Sequence, residues 1–270
     1  MTIEQTTSAL QDIAAQFTGA RAAGRSLPAY PGTPPATLAE AYAVQAAAIA
    51  RWPDAVAGWK VARVNPAFAA QFPEERLIGP AFAPNVHRVA AGGLATCPVF
   101  DGGFAAVEAE VVILVAEDGP AGKADWTADT VLPFVKSMHI GVEVASSPLA
   151  TLNDIGPGAV ISDFGNNWGV VVGAEIPNWR ELETIDVETF IDGQSVGTGK
   201  VAIKPGPLGA LAFTLNKRAQ QGTVLRAGDV ISTGMITGVH DILPGQQSRH
   251  VFAGVGEVRV QITKAAAKPV

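Results

Sequence analysis

Two glutamates stand one residue apart at the head of the apolar run "VEAEVVILV", residues 107–115. In a strand, side chains at i and i+2 share a face, with Cα atoms roughly 6.5–7 Å apart. Glu108 and Glu110 then project together, in line with Val112 and Leu114, while Val111, Ile113 and Val115 line the other face. Such a run predicts a strand buried on both sides. Two ionised carboxylates there repel by about 1 kcal/mol in water at about 4 Å, and by about 4 kcal/mol at an effective dielectric near 20. Either one takes a proton, or a cation sits between them. The plain alternative puts Glu108 at a wet strand mouth and pairs Glu110 with a lysine or arginine. Carboxylates select hard ions such as Mg²⁺, Mn²⁺ or Ca²⁺ over zinc, and a site with positions open to substrate favours Mg²⁺ or Mn²⁺. Glu143, in "HIGVEVASS", is a third acid in a short apolar run. Three such acids in β context make a metal site the better reading.

Other side chains carry two readings each. Lys60 in "AGWKVARV" either snorkels to the surface or serves a bound anion as acid/base or electrostatic clamp. Arg63 reaches a substrate carboxylate or pairs with a surface acid. Asp163 and Asn166 in "ISDFGNNWGVVVG" are turn chemistry or the rim of a site. "GPLGALAF" and "STGMITG", the latter holding Thr233, offer backbone amides to an anion. The four histidines have no HxH or HxxxH spacing, and neither a G-x-S-x-G elbow nor a phosphate loop occurs. Ser/His hydrolysis and nucleotide chemistry therefore lack support. Cys97 is the only cysteine, which excludes an internal disulfide or CxxC pair and reads as a small buried hydrophobe.

The elements that must position these groups differ along the chain. The 270 residues are 48 % apolar with net charge −6, enough for a sizeable core without disulfide or metal support. The acidic balance disfavours nucleic acid and anionic membrane partners but permits a small anionic substrate. "MTIEQTTSALQDIAAQF" lacks the pattern of a signal peptide, and the longest apolar runs fall far short of the ~20 residues of a membrane span; the expectation is a soluble cytoplasmic protein. Leu10, Ile13, Ala14 and Phe17 recur at helical spacing. After the connector "SLPAYPGTPPAT", Thr37 and Glu40 form a capping box that opens a helix running to Pro53. Short β-branched runs follow, with Asp192-Gly193 marking a hairpin. "TADTVLPFVKSMHI" and "PLGALAFTLNKRAQQG" read as helical breaks, the second stopping at Gly222. The expected organisation is a helical segment, residues 1–75, packed on a β-rich catalytic core, residues 76–270, together one domain.

In order along nearly the whole chain, "AEAYAVQ", "GWKV", "VEAEVV", "VEVASS", "SDFGNN", "GPLGAL", "LRAGDVISTG" and "GVGEVRVQI" resemble the fumarylacetoacetate hydrolase superfamily. The branch is that of the 2-keto-4-pentenoate (2-hydroxypentadienoate) hydratases and oxalocrotonate decarboxylases. The resemblance implies an α+β fold, a mixed β-roll or barrel-like sandwich core with an N-terminal helical segment. It implies Mg²⁺ or Mn²⁺ on Glu108, Glu110 and Glu143, and a 2-keto acid chelating that ion. Lys60 and Asp163 are then the catalytic candidates, and Arg63, Asn166 and Thr233 the substrate-binding ones. It further implies a homo-oligomer, with association between pathway enzymes as a further partner. The function it suggests is a hydro-lyase adding water to a short 2-hydroxy-dienoate in aromatic-compound degradation. The alternatives are a 4-oxalocrotonate-type decarboxylase, an acylpyruvate C–C hydrolase, or a non-catalytic keto-acid-binding subunit. The chain departs from the family pattern at Ala62, Arg63 and Val64 (many members have Gly-Leu-Thr), at Pro84 and Asn85, at Asn166 and at Gly209. The metal acids and the lysine are kept while the groups around them change.

Overall fold

The computed structural model describes residues 3–268, and side-chain burial from residue 7 onward. Helices α1 (Ile3–Ala22) and α2 (Leu38–Arg51) precede strands β1 (Val56–Arg63), β2 (Arg76–Phe82), β3 (Val86–Arg88), β4 (Leu94–Val99), β5 (Phe104–Val115) and β6 (Val135–Ser147). Two short helices, α3 (Leu152–Ile155) and α4 (Pro157–Ser162), lead into β7 (Asn167–Glu175) and the pair β8 (Thr184–Ile191) and β9 (Gln194–Ala202). Helix α5 (Gly206–Gln220) and strands β10 (Val230–Ser232), β11 (His240–Asp241), β12 (Gln247–Phe252) and β13 (Gly256–Lys264) complete the chain.

The strands form two sheets. The larger runs β2-β1-β10-β5-β6-β7-β3, with β11 on β5; the smaller runs β4-β13-β12-β8-β9. The main core lies between them and under α5, with Val111, Ile113, Ile140, Val142, Val258, Val260 and Leu211 all buried. The second face of the large sheet is covered in part by α1, α2 and α4, through Phe17, Val44, Leu77, Phe82, Ile161 and Phe164. β5 is thus buried on both faces, as its composition requires. This is the expected α+β layout of a curled sandwich core with helices at its N-terminal end.

Local signals hold where the determinants are local. Thr37 accepts from the Glu40 amide while the Glu40 side chain returns to the cap, a complete capping box. Asp192 and Gly193 both take positive φ, 48° and 82°, as a tight β8–β9 turn needs. α5 buries Leu208, Leu211, Ala212 and Leu215, and Gly222 follows at φ 70°. Cys97 is fully buried and free. Two expectations need correction. "TADTVLPFVKSMHI" is no helix: a 3-10 turn at Leu132–Phe134 leads straight into β6. There, pairing along the whole of β5 outweighs a weak helical pattern. And residue 75 is no boundary in space, because β1 lies inside the large sheet between β2 and β10. Among the described residues no helix is long and apolar enough to cross a membrane.

Candidate active site

Glu108 and Glu143 are direct cross-strand partners on β5 and β6, and Glu110 follows Glu108 on the same face. One carboxylate oxygen from each of the three lies within 4.8 Å of the other two. All three are buried, Glu110 and Glu143 completely. Lys60 enters from β1, and its Nζ sits 3.3 Å from both oxygens of Glu143. Its path is walled by main chain. A Cβ on Gly79 would lie 2.1 Å from the Phe164 carbonyl oxygen, and one on Gly165 would lie 3.2 Å from Lys60 Cε. The 163–167 loop therefore closes over the lysine only because both positions are glycine.

The remaining polar atoms fix the acids in place. Glu143 Oε1 accepts from Asn167 Nδ2 at 2.9 Å. Glu110 Oε2 accepts from the Gly234 amide at 2.9 Å and from the Ser232 hydroxyl. Glu110 Oε1 is buried with no protein partner. Burial, then the neighbouring Glu143, pushes Glu108 up to about 8, with Lys60 opposing. Glu110 is driven well above the carboxylate range by burial and by Glu143 and Glu108, against its two hydrogen bonds. For Lys60, burial pulls its pKa down, but the three glutamates outweigh it and the net shift is upward.

These features fit a hard divalent ion. Three carboxylates and one ammonium leave two negative charges, which one such ion balances. The donors are all oxygen, and Oε1 of Glu110 is an acceptor without a donor. Three carboxylate oxygens also leave room in an octahedral shell for a chelating ligand.

The other expected residues are placed differently. Asp163 is buried in a two-point ion pair with Arg21 of α1, at 2.5 Å from Nε to Oδ1 and 2.9 Å from Nη2 to Oδ2. Arg21 also donates to the carbonyls of Ser146 and Asn167, tying α1 to the strand ends beside Glu143. Asn166 is buried at positive φ, and its Oδ1 has no partner. Thr233 spends its hydroxyl on the Val111 carbonyl at 2.7 Å. Arg63 stands exposed at the end of β1, across from Arg76. Reading the sequence missed Arg21, Asn167 and Ser232; the Gly234 amide lies in "STGMITG", whose amides were offered to an anion, and it serves the Glu110 carboxylate. For Arg21 a signal existed: it continues the Leu10, Ile13, Phe17 stripe by one turn, and a cation on an apolar stripe requires a buried partner.

No family model matches the chain. A 4-oxalocrotonate decarboxylase from Pseudomonas sp is 30 % identical over 105 residues, which are 38 % of this chain and 41 % of that protein. The match therefore spans less than half of that relative. By structure, the 4-oxalocrotonate decarboxylase of Pseudomonas putida G7 in complex with magnesium and adipate superposes with a TM-score of 0.76 at 22 % identity, covering 97 % of this chain and 98 % of that one. The same enzyme with calcium and acetate gives 0.75. Fumarylpyruvate hydrolase from Pseudomonas aeruginosa, with Mn²⁺ and pyruvate, gives 0.56 at 18 % identity over 77 % of this chain and 89 % of that one. The chain has the fold of the fumarylacetoacetate hydrolase superfamily. Within that fold its neighbours include a 4-oxalocrotonate decarboxylase and a fumarylpyruvate hydrolase.

Proposed function

We propose that the chain is a metal-dependent enzyme of linear 2-oxo acids and that it decarboxylates a diacid of the 4-oxalocrotonate type. The observation that carries this reading is the buried acid triad with Lys60 held on Glu143. Sequence similarity to a 4-oxalocrotonate decarboxylase over part of the chain supports the choice of reaction, as does the shared fold. So does Asp163. Its carboxylate is committed to Arg21, which removes it as an activator of water. Hydration and C–C hydrolysis need such a group; loss of CO₂ does not.

Mg²⁺ or Mn²⁺ held by Glu108, Glu110 and Glu143 would supply an electrophile for the negative charge developing on the 2-oxo oxygen. The bond to the remote carboxylate breaks, its electron pair moves through the conjugated alkene toward the 2-oxo group, and CO₂ leaves. Lys60, kept charged by the glutamates, donates a proton from Nζ to the product and is reprotonated from solvent. Asn167 holds Glu143, while Ser232 and Gly234 hold Glu110. Ala81, Val112, Val170, Val172 and Val230 form a buried apolar cluster on the same face of the sheet.

The test is incubation of 4-oxalocrotonate with the protein and Mg²⁺ or Mn²⁺. CO₂ release that stops with EDTA is expected; a diacid left intact overturns the reading. Lys60→Met should keep Mn²⁺ binding and lose turnover by about 10²–10⁴-fold. Hydration is the second reading, and Asn166 favours it: its buried Oδ1 lacks a donor, a fit for a water or substrate hydroxyl. Consumption of 2-hydroxypenta-2,4-dienoate without CO₂ would select it.

A further inference from the structure

A second buried polar cluster lies in the small sheet. Thr189 of β8 and His250 of β12 are cross-strand partners, both completely buried. His250 Nδ1 lies 3.1 Å from Thr189 Oγ1, and its Nε2 lies 2.9 Å from Ser248 Oγ. Thr189 Oγ1 meets Thr237 Oγ1 at 2.8 Å, and Thr237 Oγ1 meets His240 Nε2 at 3.1 Å. Each hydroxyl can donate once and accept, so the chain has self-consistent directions that leave no link empty.

Thr237 ends the segment that follows β10. That segment is laid along β5: the Thr233 and Ile236 amides donate to the Val111 and Ala109 carbonyls at 3.2 and 2.9 Å, and the Gly234 amide donates to Glu110. β9 passes close beneath, since a Cβ on Gly199 would lie 2.2 Å from the Ile236 carbonyl oxygen. Glu110 Oε2 is held by Ser232 and Gly234, so the position of this segment sets where the unpartnered Oε1 aims.

We propose that His250, Thr189 and Thr237 form a positioning device for Glu110: the hydrogen-bonded chain anchors the 233–237 segment from the small sheet and so fixes the carboxylate that faces the metal. The inference rests on the reading of the triad as a metal site. His250 acts from the opposite side of the core, and Thr189 and Thr237 pass its constraint across the gap between the sheets. Outer partners of metal ligands commonly command about 10–100-fold in affinity.

Mn²⁺ titration by calorimetry, with the EPR spectrum of the bound ion, tests this on the wild type, Thr189→Val and Thr189→Ser. Thr189→Val removes the hydroxyl at nearly constant shape. It should weaken Mn²⁺ about tenfold or more and change the EPR line shape, whereas Thr189→Ser should restore both. Equal Mn²⁺ affinity in wild type and Thr189→Val overturns the inference and leaves the metal reading standing. So does a loss that Thr189→Ser fails to restore, since that would mark a role in packing. A wild type that binds no Mn²⁺ overturns the metal reading and the inference with it. Should Thr189→Val fail to fold, Thr237→Val and Thr237→Ser carry the same comparison from the other end of the link.

Discussion

The two buried polar clusters of this protein follow opposite rules. Around His250, each ring nitrogen has a hydroxyl partner, and burial pushes the imidazole down to about 3, so it stays neutral. Around Glu110, acids of one sign crowd together, and one oxygen has nothing to bond. A satisfied cluster of neutral groups stabilises by being complete. A crowded, unfinished one is stable only when something else completes it. The contrast separates polar burial that builds the fold from polar burial that waits for a ligand. The Arg21–Asp163 pair falls on the completed side, although the family resemblance placed Asp163 among the catalytic candidates.

That division can be broken by substitution. The largest effect is expected at Arg21→Met, which leaves the Asp163 carboxylate buried without its cation and should lower stability by about 3–5 kcal/mol in denaturant melts. Adding Asp163→Asn should recover part of it; a near-neutral Arg21→Met would place Asp163 with the unfinished group instead. Next comes Glu110→Gln. It should weaken Mn²⁺ by more than about a hundredfold, above the range of outer partners, while the metal-free protein melts unchanged or higher because a carboxyl that burial forces to hold a proton gives way to a neutral amide. Calorimetry and melting in EDTA read both halves.

Titration sharpens the comparison, because the clusters respond to pH with opposite sign. Glu108 binds its proton more tightly in the folded, metal-free protein, at about 8 against 4.5. Its contribution is complete below 4.5 and is lost as pH rises toward 8. His250 binds its proton less tightly when folded, at about 3 against 6.5. It therefore costs stability as pH falls from 6.5 toward 3. Each group changes stability by at most about 1.4 kcal/mol per pH unit within its window. The slopes partly cancel between 4.5 and 6.5, so metal-free melts should show the alkaline loss most clearly from 6.5 to 8. Saturating Mg²⁺ should remove that loss and leave the acid-side loss; His250→Gln should do the reverse. The smallest effect belongs to neither cluster. Thr37→Ala should cost about 1 kcal/mol through the α2 cap, with Mn²⁺ affinity unchanged.

Glu108 and Glu110 were legible because the chemistry and the strand period coincide in one short run of β5, and Glu143 because it is an acid in a second apolar run; Lys60 carried two readings until the family resemblance chose between them. The Thr37 cap and the Asp192-Gly193 turn were legible because their partners lie within a few residues. What escaped was contact at long range. Arg21 meets Asp163 across 142 positions, and Ser232 meets Glu110 across 122, distances over which local pattern carries no information. The segment before His139 misled for the same reason: its apolar spacing suits a helix, yet its conformation is dictated by β5. Glu143 is placed by that pairing too, on the later half of β6 that reads as β, beyond the helical-looking stretch.

The slot around Lys60 has an evolutionary corollary. One wall of it is peptide backbone at Gly79 and Gly165, where there is no side chain to trim or enlarge. Drift and directed evolution can reshape what surrounds the acids, yet they have little purchase on the lysine's confinement. In a saturation library these two positions should tolerate almost nothing, and variants with a changed substrate range should carry their changes elsewhere.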